Sequence, residues 1–487
     1  MAWMFLIASW RRGGAGRARR RGPASIPPCR EPRQHGRRVR RLARSAPVRH
    51  AWRCSTRSHA VITLADNKFL RFGAFAGLYS AQGIPYGLFF IALPTWLASE
   101  GFTTAQVGAF SGTVILPWTF KLVAGPFMDR FGFLAMGRRR PWVIAAQLGI
   151  LVGALGLATA PSEIGWILAW GFLINCFAAW QDVAVDGMAI DVLPVEDRAK
   201  ANAFMFGGQS VGISASSAGG AWLLVNHGLS ACALVMASCV AVIALIPLLL
   251  RERPGERLLP WTPGSALARS VALQESKFLL IVRDVFFALI MPMSILLIVV
   301  KFGDRVVAGV ISAAWPVITT QELGFAATFY PEWAAVSGIV AAVFGVIIAP
   351  LVDRYTAERA LIWGLALKAA VIAGAALLAP YWVNETVMIV LIFLVFLTSQ
   401  LLTISTIALF MNLCAPRVAA TQFAVYMALS NLALSTGSLV IGPLDALLTF
   451  DQIFYVVAVV DVLMLVLMLR FNLAAHKGRV EARFGTA

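Results

Sequence analysis

Apolar runs of about 20 residues recur along the chain from residue 69 onward, separated by short polar segments. A helix of about that length crosses the hydrocarbon core of a bilayer. The pattern therefore predicts an all-α membrane protein with twelve transmembrane helices. The predicted spans are 70–97, 105–127, 141–160, 165–190, 200–225, 230–250, 285–318, 327–350, 360–380, 387–410, 418–443 and 450–470.

Basic residues divide the loops into two classes. The loops after spans 2, 4, 6, 8 and 10 hold fifteen Lys and Arg residues, with Lys200 at the start of span 5 included, whereas the loops after spans 1, 3, 5, 7, 9 and 11 hold none. Positive charge marks the cytoplasmic side of a membrane protein. We therefore expect both termini to be cytoplasmic, and the basic C-terminal segment agrees with this orientation.

The second half of the chain repeats features of the first. GFTTAQVGAFSG precedes GPFMDRF (125–131), and GFAATFYPEWAAVSG precedes APLVDRY (349–355), with an offset of about 220 residues. Two six-helix bundles of this kind are usual in secondary transporters, which hold their substrate between the halves. The predicted divisions are a disordered Arg-rich tail at 1–65, a first bundle at 66–250, a cytoplasmic linker at 251–283, a second bundle at 284–472 and a cytoplasmic tail at 473–487.

The composition supports a membrane protein and removes one alternative. Of 487 residues, 59% are hydrophobic and 13% are charged, about half the charged share of soluble domains. Most of the formal net charge of +17 lies in residues 1–57, which contain sixteen arginines and one acid. This tail lacks interleaved aromatics and any binding motif, so we expect no nucleic-acid partner. A translation start near Val61 or Leu64 would leave the tail out of the native protein.

Several sequence motifs of enzymes and motors are missing. The chain has no G-x-x-x-x-G-K-[ST] loop for ATP, no H-E-x-x-H metal motif and no G-x-S-x-G elbow. We therefore expect neither an enzyme nor a cofactor or metal site.

Six segments carry a family resemblance. They read QGIPYGL (82–88), LPWTFKLVAGPFMDR (116–130), GRRRPWVIAAQ (137–147), QDVAVDG (181–187), VKFGD (300–304) and AATQFAVYMALS (419–430). In this order they resemble the AmpG-type muropeptide permeases and their acetyl-coenzyme A transporter relatives, within the major facilitator superfamily. The resemblance implies a fold of twelve helices, a place in the cytoplasmic (inner) membrane and alternating access. It also implies import of anhydro-muropeptides or, in the other branch, movement of acetyl-coenzyme A.

Span 4 holds acids within an apolar run. Asp182 and Asp186 lie one helical turn apart and share a face with Asn175, whereas Asp191 is expected at the solvated cytoplasmic end. A charge at the centre of a membrane helix costs about 2.5–3.5 kcal/mol, which favours a face turned to the bundle interior. Asp182 and Asp186 are therefore the candidates for proton coupling. The alternative is that they pair with cytoplasmic arginines and only hold a closed gate.

Two lysines are candidates for binding an anionic substrate. Lys301 interrupts an apolar stretch too long for one straight crossing, and its counterpart 69–97 is interrupted at Gly83-Ile84-Pro85. Matching interruptions in two halves point to a binding site. Lys301 is thus a substrate contact or an ion partner of a span-4 aspartate. Lys121 is a substrate contact or a lysine that reaches the inner membrane surface.

Aromatic and amide side chains form polar stripes on spans 1, 5 and 11, which suit a sugar or hold helices together. These candidate substrate contacts are Tyr79, Gln82, Tyr86, Gln209, Gln422 and Tyr426. A second set of charged residues at the cytoplasmic helix ends would form contacts that exist in one conformation and break in the other. These candidate gate residues are Asp129, Arg130, Arg138, Arg139, Asp353 and Arg354.

The residues and the resemblance together predict a proton-coupled secondary transporter that imports a polar, anionic, sugar-containing solute such as an anhydro-muropeptide. A carrier of acetyl-coenzyme A or another nucleotide-linked solute is the first alternative. A membrane sensor that keeps the fold without transport is the second. The expected partners are the solute, protons and the lipid bilayer, and the protein is expected to be a monomer.

Overall fold

A computed structural model describes residues 63–194, 197–267, 270, 278–415 and 418–484. The regular elements within these ranges are helices, as the sequence predicted. They are α1 Lys68–Gly87, α2 Leu93–Ser99, α3 Thr104–Ile115, α4 Lys121–Arg130, α5 Arg140–Thr159, α6 Ile164–Val192, α7 Arg198–Leu249, α8 Phe278–Leu289, α9 Pro292–Val317, α10 Phe329–Tyr355, α11 Ala357–Leu377, α12 Glu385–Leu413, α13 Ala419–Asp445, α14 Phe450–Met468 and α15 Leu473–Phe484. The greater part of the predicted tail, with Val61, lies outside the described residues.

Ten helical segments in the described part are long and apolar enough to cross a membrane, or up to eleven with the bent pair α8 and α9. This pair bends by 73°, which confirms that the long apolar stretch near Lys301 is not one straight crossing. Helix α7 contains 52 residues and is broken at Gly228, where φ is 78° and ψ is 177°. At 1.5 Å per residue it would be far longer than a bilayer is thick. Counting its two arms separately would bring the number to twelve, which stays a prediction.

The first crossing of each half contains a proline followed by a wide helical turn. Pro85 lies inside α1, just before a π-helical turn at Leu88–Ala92. Pro316 lies inside α9, just before a π-helical turn at Ile318–Glu322. The interruption at Gly83 to Pro85 is therefore not an unwound segment, because α1 continues through it. A Cβ at Gly83 would collide with the backbone of α7, so this glycine serves close helix packing.

The turn that follows the first crossing is also repeated. Gly101 and Gly324 both have positive φ, at 85° and 68°, a conformation that glycine adopts without strain. In the first half the next helix begins with a capping box, in which Thr103 and Gln106 satisfy each other's backbone N–H groups. The described elements thus support the duplication inferred from the sequence.

The apolar core shows where the halves meet. The largest cluster contains buried residues of both halves, among them Phe110 of α3 and Ile441 of α13, and lies toward the end that carries Gly101 and Gly324. Toward the other end, which carries the basic loops and is called the basic end below, the described residues form separate clusters within each half.

Polar contacts join the halves on the same side as the shared core. The hydrogen bonds run from Ser214 Oγ to Ala335 O (2.9 Å), Ser217 Oγ to Pro331 O (2.8 Å), Gln321 Nε2 to Ala98 O and Phe102 O (2.8 Å each), Ser435 Oγ to Gly112 O (2.7 Å) and Asn431 Nδ2 to Trp118 O (3.1 Å). The halves are therefore fastened together at the end remote from the basic loops.

The described part of the predicted linker is folded against the first half. Glu252 accepts hydrogen bonds from the backbone N–H groups of Arg138, Arg139 and Arg140, where α5 begins. A carboxylate at a helix N-terminus is favourable, because free N–H groups and the helix dipole point toward it. The buried Arg140 guanidinium donates in turn to carbonyls of the linker, among them Arg257 O at 2.9 Å.

Both predicted tails include folded residues. Leu64 is buried and its N–H bonds to Arg251 O at 2.9 Å, so the chain is ordered slightly before the predicted first bundle. At the other terminus α15 is helical, and the buried His476 ring lies 3.0 Å from Leu413 O. The first and last helices are thus anchored at the basic end.

Candidate functional site

Helix α6 brings the predicted coupling acids into the first half. Asp182 forms an ion pair with Lys121, the first residue of α4. The side chains of Lys121 and Asp182 remain 22% and 13% exposed, so the pair is partly open to its surroundings. This placement turns Asp182 toward the neighbouring helix α4, in keeping with the cost of a membrane-buried charge.

Asp186 takes a different partner from Asp182. The hydroxyl of Tyr79, on α1, donates a hydrogen bond to Asp186 Oδ1. Tyr79 is buried, so this contact ties α1 to α6 inside the first half. None of the contacts described for Asp182 and Asp186 is with an arginine. The described partners of these acids are Lys121 and Tyr79, and the alternative in which cytoplasmic arginines pair with them stays a prediction.

An indole ring lies beside the Lys121 ammonium group. Lys121 Nζ lies 4.4 Å from the centre of the Trp118 ring, within the range of a cation–π contact. Trp118 Nε1 donates to Asn175 Oδ1 at 3.0 Å, one further contact on the predicted polar face of α6. The carbonyl of Trp118 accepts from Asn431 of α13, in the second half. The Lys121 site therefore adjoins the boundary between the halves.

The predicted stripe on α1 divides among different surroundings. The Tyr86 ring packs against Phe90 at 4.6 Å and against the edge of Trp118 at 6.5 Å between ring centres, so it extends the aromatic surface beside Lys121. Gln82 is fully buried, and neither polar atom of its amide has a hydrogen-bond partner in the described part of the chain. Tyr79 binds Asp186, as above. The three residues of this stripe thus have different neighbours, because successive turns of α1 contact different helices.

Four charged side chains from α9, α11 and α14 meet inside the second half, and we call them the second-half cluster. Asp304 accepts from Lys301 Nζ at 2.8 Å and from Lys368 Nζ at 2.7 Å. Lys368 Nζ also lies 3.5 Å from Asp461 Oδ1. Side-chain exposure falls along the cluster, from 10% at Lys301 and 8% at Asp304 to 2% at Lys368 and 0% at Asp461.

This cluster corrects one prediction and adds residues that sequence reasoning missed. Lys301 does not pair with a span-4 aspartate, because Asp304 on its own helix lies within reach and Asp182 is taken by Lys121. Its role as a substrate contact stays a prediction. Asp461 was not a candidate, although a lone acid in an apolar span carries the same cost that singled out Asp182.

The predicted stripe on α13 is engaged in helix packing. Gln422 Nε2 donates to the Tyr426 hydroxyl at 2.7 Å, and that hydroxyl donates to Ser294 Oγ at 3.1 Å. The Tyr426 ring stacks on Phe410 with ring centres 4.4 Å apart. Both stripe residues are buried, so this structure gives them contacts with protein in place of an open surface. On α7, Gln209 is half-buried.

Charged residues at the basic end of the first half form an ion-pair cluster. Asp129 accepts from Arg138 at 2.7 Å and from Arg139. Asp191 accepts from Arg138 at 3.5 Å and lies 4.0 Å from Arg139. Asp191 is thus a member of this cluster and not a free, solvated helix end, because the arginines of the loop before α5 reach it. The ends of α4, α5 and α6 are joined by these pairs.

The other predicted gate residues lie near the basic ends of α4 and α10. The Arg130 guanidinium lies 5.7 Å from the Phe131 ring, and the exposed Arg354 lies 5.9 Å from the Tyr355 ring. Asp353 belongs to α10, but its side chain lies outside the described part of the structure. A gating role for the six residues stays a prediction.

Two buried acids lie outside the spans, in the linker. Burial raises the pKa of Glu252, while the three backbone N–H groups at the start of α5 oppose this shift. Burial, with the neighbouring charge of Glu252, raises the pKa of Glu256 to about 7. Among the residues described, no group of three or more His, Cys, Asp or Glu side chains is arranged to hold a metal ion.

Comparison with known proteins agrees with this architecture. Residues 75–303 match the profile of the Major Facilitator Superfamily. The chain is 30% identical over 379 residues to the anhydromuropeptide permease of Escherichia coli, covering 74% of this chain and 71% of that protein. It is also 31% identical over 175 residues to an uncharacterized membrane protein of Saccharomyces cerevisiae, covering 31% of each.

Solved structures show the same fold at low sequence identity. A POT family transporter in complex with 5-aminolevulinic acid superposes with a TM-score of 0.64 at 10% identity, over 82% of this chain and 96% of that one. The nucleoside transporter NupG superposes with a TM-score of 0.62 at 12% identity, over 82% and 99%. With the helical fold, the repeated halves and the permease similarity in place, the chain belongs to the major facilitator superfamily, in the family of AmpG-type permeases.

Proposed function

We propose that this membrane transporter imports an anionic, sugar-containing solute of the anhydro-muropeptide class together with protons, by alternating access. The observation that carries the proposal is the ion pair of Lys121 and Asp182, which is partly exposed beside the boundary between the halves. The similarity to the anhydromuropeptide permease supports the choice of solute. The proposed location is the cytoplasmic membrane, where the protein acts as a monomer.

The ion pair offers a direct link between a proton and an anion. While Asp182 is ionised, it neutralises Lys121 and leaves no charge for a solute. When a proton from water binds Asp182 Oδ2, the attraction ends and the ammonium group is available to a solute carboxylate. Loss of the proton to the cytoplasm restores the ion pair, which then competes with the solute for Lys121 and favours its release.

Aromatic rings beside Lys121 suit the sugar part of such a solute. Trp118 and Tyr86 present adjoining rings within 6.5 Å of each other. Aromatic rings pack against the apolar faces of sugars, while the hydroxyls of a sugar need polar partners such as Asn431. Lys301, the most exposed member of the second-half cluster, stays a candidate contact from the opposite half.

The packing of the two halves supports the assignment of this structure to the inward-facing state of the transport cycle. Their shared core and hydrogen bonds lie at the end of Gly101 and Gly324, while the basic end has a separate core in each half. By the charge rule, the basic end is cytoplasmic. The cluster of Asp129 and Asp191 with Arg138 and Arg139 would then stabilise this state and rearrange when the cytoplasmic side closes.

Uptake by the purified protein in liposomes tests the proposal. Labelled anhydro-muropeptide should accumulate when the lumen is alkaline relative to the outside, and acetyl-coenzyme A should not. Asp182→Asn should abolish accumulation driven by the pH gradient while the protein still reconstitutes, because the amide cannot take up and release the proton. The matched control is Asp445→Asn, which makes the same change at the end of α13.

Three results would count against the proposal in different ways. Preferred uptake of acetyl-coenzyme A would select the nucleotide-linked carrier. Binding of the muropeptide without any flux, under every gradient, would select the sensor. Undiminished gradient-driven uptake by Asp182→Asn would leave the proposed solute in place but would contradict the coupling role of this residue.

A further inference from the structure

We propose that Asp461 in the second-half cluster is an additional proton-binding site of the transporter, separate from Asp182. The inference rests on the proposed proton coupling and extends it to a group outside the Lys121 site. It is carried by the contacts and burial of the cluster, and by one carboxylate oxygen that lacks a partner.

The contacts of Asp461 are weaker than those of its neighbour. Asp304 receives both lysines of the cluster at 2.7 and 2.8 Å, and the Asp304 carbonyl also accepts from Lys368 at 3.2 Å. Asp461 has one contact, 3.5 Å from Lys368, and its Oδ2 atom is buried without a hydrogen-bond partner in the described residues. Lys368 is thus held mainly by Asp304.

This arrangement makes Asp461 the member for which a proton is most favourable. A buried carboxylate needs hydrogen bonds to both oxygens, or a close cation, to offset the loss of water. Asp304 meets that requirement and Asp461 meets it only in part. A proton on Asp461 Oδ2 would remove the buried negative charge and turn the partnerless atom into a hydroxyl donor.

The charged groups facing Asp461 come from two neighbouring helices. Lys368 approaches from α11, while Lys301, Asp304 and the half-buried Arg305 belong to α9. With both acids ionised, the four members of the cluster carry no net charge. When Asp461 takes up a proton, the cluster gains one positive charge. That charge would favour binding of an anionic solute near Lys301, so proton and anion would be bound together.

The gradient of exposure shows which side of the cluster is open in this state. Lys301 and Asp304 are the more exposed members, and Asp461 is the fully enclosed one. The proton would come from water on the outer side, bind Asp461 Oδ2 and leave to the cytoplasmic water when the helices rearrange. On its departure, Lys368 would again balance the charge of Asp461. The lysine therefore serves as a movable partner shared by two acids.

Infrared difference spectroscopy of the wild-type protein in lipid, without any solute, tests the site directly. The band of protonated carboxyl groups should be present in acidic buffer and lost in alkaline buffer. Asp461→Asn should remove the part of this band that comes from Asp461. Asp182→Asn should leave it in place. A spectrum unchanged by Asp461→Asn would overturn the proposal. Because no solute is present, this result is independent of whether the proposed substrate is correct.

Transport in liposomes supplies the second measurement. Asp461→Asn mimics the protonated form, so it should exchange solute across the membrane but fail to accumulate it against a gradient. If this variant does not fold, the double variant with Lys368→Met and Asp461→Leu removes a buried pair in one step, a change that is often tolerated. It should fold and exchange, yet not accumulate. Gradient-driven accumulation equal to wild type in either folded variant would show that the cluster is only structural.

Discussion

The two halves of the molecule hold their membrane-buried charges in different ways. In the first half, Lys121 and Asp182 form a single pair with 22% and 13% of their side chains exposed. In the second half, Lys368 and Asp461 are 2% and 0% exposed and belong to a group of four charges. Exposure to water lowers the cost of separating a pair, whereas a buried charge must keep its partner. The first pair is suited to exchange partners, and the second group is suited to change its charge as a unit.

Equivalent positions of the two halves show that this difference arose within a duplicated frame. Gln82 and Gln147 lie 222 and 221 residues before Asp304 and Lys368, which matches the offset between the halves. Both glutamines are fully buried, and their amide atoms have no hydrogen-bond partner in the described part of the chain. One half therefore carries neutral amides where the other carries ions. The same architecture supports two electrostatic tasks.

The largest expected effect is on the yield of folded protein, and it tests the difference in burial between the two charge groups. Asp304→Asn removes the one close acid of two buried lysines, and breaking a buried pair in this way costs about 3–5 kcal/mol. We expect little folded protein to reach the membrane. Size-exclusion chromatography with fluorescence detection measures the yield of monodisperse protein.

Asp182→Asn is the matched control, because it makes the same chemical change at the more exposed pair. Its yield should stay close to that of the wild type. Similar yields for Asp304→Asn and Asp182→Asn would break the comparison, since they would show that burial does not distinguish the two charge groups.

Much of the fold followed from the sequence because membrane helices depend on local composition. Apolar length predicted the spans, and the repeated Gly-Phe pairs marked turns that the structure builds with Gly101 and Gly324. The candidate sites could be predicted only in part. The cost of a buried charge drew attention to Asp182, but its partner Lys121 lies 61 residues away in sequence. No local pattern encodes such a pairing.

The second-half cluster shows where sequence reasoning stops. Lys368 and Asp461 are separated by 93 residues, so their contact depends on how α11 packs against α14. The rotation of each helix about its axis also decides which residues meet. Tyr426 lies on a regular polar stripe, yet it stacks on Phe410 and is buried. Spacing identifies residues that share a face, and packing decides what that face contacts.

A smaller effect would sharpen the role of the exposed pair. Lys121→Met keeps the length of the side chain and removes its charge, so it should weaken binding of an anionic solute about tenfold, equivalent to about 1.4 kcal/mol. An analogue with its carboxylates amidated should lose much less. Calorimetric titration with both ligands measures the difference. Lys68→Met is the control, because Lys68 pairs with Asp197 at the start of α1, away from this site. Equal losses for charged and amidated ligands would argue against a charge contact at Lys121.

The smallest expected effect separates pH-dependent stability from proton coupling. The described contacts of Glu252 and Glu256 are with the first half and within the linker. Burial raises the pKa of Glu256 to about 7 from an ordinary value of 4.5. The folded state therefore binds this proton more tightly than the unfolded state does. The contribution of Glu256 to stability should be fully present below about pH 4.5 and should be lost as the pH rises to about 7. Glu256→Gln should reduce this fall, with a change of about 2 °C in the unfolding temperature.

Thermal unfolding in lipid nanodiscs across this pH range measures the effect, with Glu322→Gln near the opposite end as the control. Transport by Glu256→Gln should keep the pH dependence of the wild type, because the linker carboxyl is not in the proposed proton path. If Glu256→Gln instead changed the pH dependence of uptake as strongly as that of stability, the pH response of transport could no longer be assigned to Asp182 and Asp461. The contrast between the two halves would then have to include the linker that joins them.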